Sequence, residues 1–311
     1  MRIHNQFLEC SIYLYPSKDA ADKGERAGGS GCLVSIKASV EGYSHAYAVT
    51  NSHVIREGNS PVIRLNTITD EKAILEFEYT DWIHHPDGDD VAVCPIDFPA
   101  NHYSIRFIDR DKYFVTPTRI RYFDIGVGDA TFMVGRFISH EGKQRNTPSV
   151  RFGNIAMMAE EPLRHPRGHM QESFLVETRS IGGFSGSPVF VYIPNYENRF
   201  EEEPKGVVRL LGIDWGHLPF QSFDPYHPFD KVVDARGTPH PDGWRVASNT
   251  GMAAVVPAWK LDELLNTPDL VRQRKQDDEE LLEKVRTGEL PGPAVLDSDN
   301  TDSAEPSSQS R

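Results

Sequence analysis

A serine hydroxyl attacks a carbonyl usefully only when a base takes its proton, and an imidazole base works best when a carboxylate fixes its tautomer. Three stretches of this chain offer those groups in the order His, Asp, Ser. His53 lies in Thr50-Asn51-Ser52-His53-Val54, directly after the alternating apolar segment Ala46-Tyr47-Ala48-Val49. Asp90 opens the run Asp90-Val91-Ala92-Val93 after the loop His84-His85-Pro86-Asp87-Gly88-Asp89. Its neighbour Asp89 is the nearer rival, but only Asp90 is directly followed by Val-Ala-Val. Ser185 stands in Gly182-Gly183-Phe184-Ser185-Gly186-Ser187-Pro188, just ahead of the strand-forming Val189-Phe190-Val191. Glycines on both sides let the backbone turn so that the hydroxyl stands clear while nearby N–H groups converge. That arrangement suits acyl transfer. Alone, the heptamer reads equally well as a tight turn before a strand.

Taken together, the three contexts resemble those of the chymotrypsin-fold (trypsin-like) serine peptidases, in which His, Asp and Ser follow in this order. Leu211-Gly212-Ile213-Asp214-Trp215-Gly216 is similar to the strand that lines the substrate cleft in that family. Gly251-Met252-Ala253-Ala254-Val255-Val256-Pro257 is similar to its final barrel strand. The likeness spans roughly residues 30–265 and is nearest to the bacterial glutamyl-endopeptidase branch. It implies a serine endopeptidase acting on a polypeptide substrate without a cofactor. His53 is then base and acid, Asp90 its orienter, Ser185 the nucleophile, and the N–H groups of Gly183 and Ser185 the oxyanion hole. A catalytically silent binding module and an esterase use of the same site are the rival expectations.

The resemblance also marks departures. Phe184 stands where zymogen-activated relatives carry the aspartate that receives a new N-terminal ammonium, so activity without N-terminal trimming is expected. Val54 stands where many extracellular relatives carry a bridged cysteine. The glutamyl-specific branch has a histidine where this chain has Asp214, and Arg179 falls at the position of the pocket floor. The implied substrate-binding set is Arg179, Ser180, Asp214, Trp215 and Gly216. Asp214 facing inward predicts a basic P1 residue, a pair of Asp214 with Arg179 predicts a neutral one, and Arg179 alone predicts an acidic one.

The elements that must hold these residues are short strands. Residues 7–15, 32–36, 43–50, 61–65, 73–79 and 91–96 read as strands before residue 115, and 131–135, 149–158, 173–178, 188–192, 206–214 and 252–256 after it. No strand alternates with a long helix. The expected class is therefore all-β: two packed, roughly six-stranded antiparallel β-barrels, chymotrypsin-like, with a C-terminal helix. The expected units are an N-terminal barrel over 1–115, a C-terminal barrel over 116–267, and a charged helix with a disordered tail over 268–311. Residues 258–265 form the packing helix. Residues 269–287 form a second, highly charged one, expected to add little to the core, so that truncation after Thr267 would be harmless. Two Pro- and Asp-rich insertions, 193–205 and 217–249, interrupt the second set of strands.

Composition narrows the partners. A formal net charge of −13, with no basic run longer than Arg272-Gln273-Arg274-Lys275, disfavours nucleic acid. No stretch approaches the ~20 apolar residues that span a bilayer. The N-terminus lacks an apolar secretory core, and the three cysteines, Cys10, Cys32 and Cys94, lie in apolar contexts; both point to a cytoplasmic protein with reduced thiols. His84-His85 and the pair His165 and His169 lack a third ligand at familiar zinc spacing and read as loop histidines, so no metal is expected. His45, inside a strand pattern, reads as a surface residue.

Overall fold

β-Branched and aromatic residues in short alternating runs, bounded by Gly, Asp and Pro, produce sixteen strands among the described residues of the computed structural model. The structure describes residues 2–97, 102–137, 142–165, 168–178, 183–194, 206–219 and 249–290. In chain order the strands are β1 (Ser11–Tyr15), β2 (Gly29–Lys37), β3 (Ser44–Thr50), β4 (Val62–Asn66), β5 (Lys72–Leu75), β6 (Ile83–His84), β7 (Ala92–Ile96) and β8 (Ile108–Asp109). They continue with β9 (Ala130–Gly135), β10 (Ser149–Met157), β11 (Leu163–Arg164), β12 (Met170–Gln171), β13 (Phe174–Glu177), β14 (Pro188–Ile193), β15 (Val207–Pro219) and β16 (Asn249–Pro257). The helices are α1 (Asn5–Leu8), α2 (Lys18–Lys23), α3 (Ser52–Arg56), α4 (Arg110–Tyr113), α5 (Pro117–Phe123), α6 (Ala258–Leu265) and α7 (Pro268–Arg286).

The first eight strands form one sheet in the order β5-β4-β1-β2-β3-β7-β6, with β8 running parallel to β2. The later strands close into a six-stranded barrel, β10-β13-β16-β15-β14-β9, and β11 pairs with β12 in a separate hairpin. This is the chymotrypsin-like fold expected above, with two differences. The first sheet has eight strands and is not closed among the described residues. Residues 7–8, read as the start of a strand, are instead helical, with His4 Nδ1 accepting the Gln6 N–H at 3.3 Å. A single-turn helix leaves too short a pattern for its period to show.

Each sheet has its own core, Ile12, Leu33, Ile63 and Trp82 in the first and Val115, Met133, Phe174 and Val255 in the second. A further cluster joins them: Val34, Val49 and Val93 meet Phe132, Phe190, Leu210, Trp215, Leu261 and Leu265. The three cysteines are buried free thiols. No described helix is long and apolar enough to cross a membrane.

A second tie between the sheets is polar. Arg64 on β4 is fully buried, packs its guanidinium over Tyr15, and donates to Asn146 Oδ1 at 2.7 Å and to the Gly142 carbonyl at 2.8 Å. Replacing it with methionine keeps the stem but leaves those acceptors dry. We expect Arg64→Met to lower the unfolding free energy by ~3 kcal/mol, read from urea midpoints.

The charged helix α7 overturns the expectation that it adds nothing. Leu270 is only 1 % exposed and belongs to the core that joins the sheets. Arg274 donates to Tyr47 Oη at 3.1 Å and to the Leu265 carbonyl at 2.7 Å. Asp278 pairs with His45 Nε2 at 2.9 Å and accepts the Ser39 N–H at 3.2 Å, so His45 is not a free surface residue either. Two of the charges that made the segment look solvated, Arg274 and Asp278, are docking contacts. Truncation after Thr267 is accordingly expected to cost ~2–4 kcal/mol, chiefly through the lost Leu270 side chain, and to lower Tm measurably.

Candidate active site

His53 sits in the first turn of α3, immediately after β3. Its N-cap residue, Asn51, does not use its side chain on the helix; the amide donates to the Asp90 carbonyl at 2.7 Å instead. Asp90 precedes β7, the strand beside β3, in antiparallel register with Thr50 opposite Ala92. The register brings the carboxylate to the helix start. Asp90 Oδ1 accepts the His53 backbone N–H at 3.0 Å, and Oδ2 faces His53 Nδ1 at 2.7 Å. One carboxylate therefore fixes both the main chain and the ring of the histidine. Burial pushes the Asp90 carboxyl up, but His165 and His53 more than offset it and hold the group well below the usual carboxylate range.

Asp89 points elsewhere. It accepts from Gln171 Nε2 at 2.7 Å and lies 3.5 Å from Lys260 Nζ. His85, Asp89 and Glu263 do face one another, but the Lys260 ammonium also lies 3.0 Å from Glu263, so this cluster already holds a cation of its own.

The Ser185 loop is tied to the first sheet by Ser30 of β2. The Ser30 N–H donates to the Ser185 carbonyl at 2.8 Å, and Ser30 Oγ donates to the Gly183 carbonyl at 2.9 Å. Behind the loop, the Gly186 N–H donates to the Asp214 carbonyl at 2.8 Å, and the Asp214 N–H to the Ser187 carbonyl at 2.9 Å. Two glycines are obligatory here. Gly183 has φ +97° and Gly186 φ +89°, and a Cβ on Gly186 would lie 1.9 Å from the Ser30 carbonyl. A methyl on Gly29 would lie 2.8 Å from Val54 and 3.0 Å from the Ser185 carbonyl, so the residue after His53 and the serine loop meet across one glycine. His53 bonds to Asp90 and, through its own carbonyl, to Glu57 and Gly58; none of its bonds reaches the Ser185 hydroxyl. The N–H groups of Gly183 and Ser185 have no acceptor among the described residues.

Of the expected substrate-binding set, Arg179 and Ser180 lie outside the described residues. Trp215 is buried, its ring 4.4 Å from that of His165, and Gly216 continues β15 beside it. Asp214, expected to line the pocket, is 0 % exposed, and neither carboxyl oxygen has a hydrogen-bond partner among the described residues. Burial raises its pKa to about 7, against the lowering effects of the Gly216 N–H and of His53. Asp214 pairs with Val255 of β16 and meets the serine loop through its backbone.

Three residues of the site were missed at the level of sequence. Ser30 carried a signal, a lone hydroxyl among Gly28, Gly29 and Gly31, but nothing to distinguish it from a turn. Gln171 accepts the Asp90 N–H at 2.8 Å, and His165, read as a loop histidine, is buried with Nε2 3.7 Å from Asp90 Oδ2. Both sit on a hairpin too short for any alternation to show.

No family model matches the chain, and no curated protein matches it by sequence. Solved structures do resemble it. The structure of Deg5 aligns at 15 % identity with a TM-score of 0.42, covering 68 % of this chain and 81 % of Deg5. The MamO protease domain from Magnetospirillum magneticum aligns at 13 % identity with a TM-score of 0.45, covering 85 % and 100 %. The HtrA-type protease AlgW, solved with a decapeptide, aligns at 14 % identity with a TM-score of 0.41, covering 79 % of this chain and 59 % of AlgW. Superpositions this loose assign no family, and the fold stands on the strand pairings themselves.

Proposed function

We propose that this chain is a serine endopeptidase in which Ser185 attacks a peptide carbonyl, His53 takes and returns the proton, and Asp90 orients His53. The observation that carries the reading is the double hold of Asp90 on His53, at backbone and ring, beside a serine loop pinned to the same sheet. A carboxylate held low in pKa on Nδ1 keeps the proton there, which leaves the Nε2 lone pair for the serine hydroxyl. Gly183 and Ser185 offer the two N–H groups that a tetrahedral oxyanion requires, worth roughly 3–4 kcal/mol per donor in the transition state. The Ser185 hydroxyl closes on Nε2 as substrate binds, since resting sites often hold this contact long. Water then hydrolyses the acyl-enzyme. No step calls for a cofactor.

The buried Asp214 carboxyl, with a pKa near that of neutral solution, presents no fixed charge to a P1 side chain. A pocket neutral at this position replaces the expectation of a basic preference set by Asp214. A P1-varied peptide series is expected to give the same profile for wild type and Asp214→Asn.

A serine-directed fluorophosphonate tests the reading as a whole. Labelling of wild type that Ser185→Ala abolishes is the expected result, with turnover of peptide substrates. Turnover of esters alone would move the assignment to an esterase. Absence of both labelling and turnover in folded wild type would leave a binding module on a peptidase-like fold.

A further inference from the structure

We infer that the pair of strands β11 and β12, which lies between the barrel strands β10 and β13, is the device that fixes the Asp90 carboxylate for His53, with His165 and Gln171 as positioning residues. The inference rests on the reading of His53 and Asp90 as a catalytic pair. Two arms of the hairpin reach Asp90 from outside the first sheet. Gln171 takes its backbone: Oε1 accepts the Asp90 N–H at 2.8 Å, while Nε2 donates to Asp89 Oδ1 at 2.7 Å and to the Glu172 carbonyl at 3.1 Å. The orientation of that amide follows from its partners, since a backbone N–H only donates and a carboxylate only accepts. Gln171 is fully buried, so its bonds to Asp90 and Asp89 do not compete with water.

His165 takes the side chain. Its Nε2 lies 3.7 Å from Asp90 Oδ2, the same oxygen that faces His53 Nδ1 at 2.7 Å. The proton belongs on that Nε2, because a lone pair facing a carboxylate oxygen would be repelled. The ring is not free to turn. It stacks on His169 and on Trp215, both at 4.4 Å, and the backbone of the turn is closed by His165 N–H to the His169 carbonyl at 2.8 Å. Trp215 is itself anchored through Nε1 to Ser173 Oγ at 3.0 Å. Asp90 thus stands between two imidazoles, one that moves a proton and one that is locked.

The locked ring does work that packing alone would not. A second N–H directed at Oδ2 from 3.7 Å shares the carboxylate's charge and makes it a weaker acceptor toward His53. Other titratable groups bear on the pair: Asp214 on β15, and His84, whose Nδ1 bonds to Ser52 Oγ beside Arg56; Asp89, held by Gln171 and Lys260, points away. None of these is altered by changing His165.

The test is an NMR titration of His53 in the histidine-labelled full chain, assigned with His53→Gln. His165→Phe keeps the stack on Trp215 and removes the N–H; the His53 midpoint is expected to rise by about one pH unit. His165→Gln, which restores an N–H at similar reach, is expected to return most of that shift. The acid limb of kcat/KM should move with the midpoint. An unchanged His53 midpoint in folded His165→Phe overturns the inference. Should that variant fail to fold, Gln171→Met is read in the same way: loss of the downfield position of the His53 Nδ1 proton supports the clamp, and an unmoved resonance overturns it. If wild type neither labels nor turns over peptides, the catalytic reading fails, while the titration still decides whether the hairpin tunes His53.

Discussion

Exchange of Asp90 for asparagine is expected to lower kcat by about 10⁴-fold, the size this exchange has in trypsin-like enzymes, without unfolding the protein. The reason lies in the two-point hold. The backbone N–H of His53 requires an acceptor at Oδ1, 3.0 Å away, so the asparagine amide must keep its oxygen there and turn its NH₂ toward His53 Nδ1. Nδ1 then becomes the acceptor, the ring proton moves to Nε2, and no lone pair remains for the Ser185 hydroxyl. The measurement is kcat for a peptide substrate alongside near-UV circular dichroism. A variant with native dichroism that keeps more than about a tenth of wild-type kcat would remove Asp90 from the mechanism.

The second large effect is on stability. Asp214 is buried, its carboxyl oxygens have no hydrogen-bond partner among the described residues, and burial raises its pKa to about 7 from an unfolded value of ~3.9. Between those values the folded state binds more protons than the unfolded one, so this group makes stability fall as pH rises from ~4 to about 7, and adds no further slope above. The accumulated cost is of the order of 3–4 kcal/mol at the upper bound. Asp214→Asn is neutral at every pH, so it is expected to flatten this slope and to be the more stable protein at pH 8, by ~1–3 kcal/mol once the buried amide's own desolvation is counted. Asp90 has the opposite sign. Its folded pKa is depressed, so its contribution is fully present above ~4 and is lost as pH falls below that. The two carboxyls together place the optimum of their joint contribution on the acid side of neutrality. Urea unfolding of wild type and Asp214→Asn at pH 5 and pH 8 reads both; equal slopes would show that Asp214 is solvated or paired.

The parts of the site that were legible in the sequence are those whose chemistry demands a local backbone form. Gly183 and Gly186 are required by their positive φ values, and His53 follows an alternating strand whose register with β7 carries Asp90 beside it. The parts that were not legible are contacts between segments distant in sequence. His165 directly follows a strand of two residues and Gln171 ends another, both below the length at which a period of two can be recognised. The depth of Asp214 depended on which face of β15 its register with β16 turned inward. The helix α7 was recognisable as a helix, but charge read in isolation suggested solvation; its Asp278 and Arg274 are spent on His45, Ser39 and Tyr47, which no local pattern could reveal.

The stitching of the serine loop to Ser30, and of Asp90 to Gln171, bears on the order in which the chain is made. A ribosome delivers His53 and Asp90 first, and their sheet can assemble around them while the later strands are still unsynthesised. At that stage Asp90 lacks the hairpin and the cleft has no nucleophile. Only when Gln171 has reached Asp90 and the Ser185 loop has docked on β2 does the constellation exist. On the proposed reading, a nascent peptidase built in this way would be inert toward its own unfolded segments and toward neighbouring chains until both halves have folded.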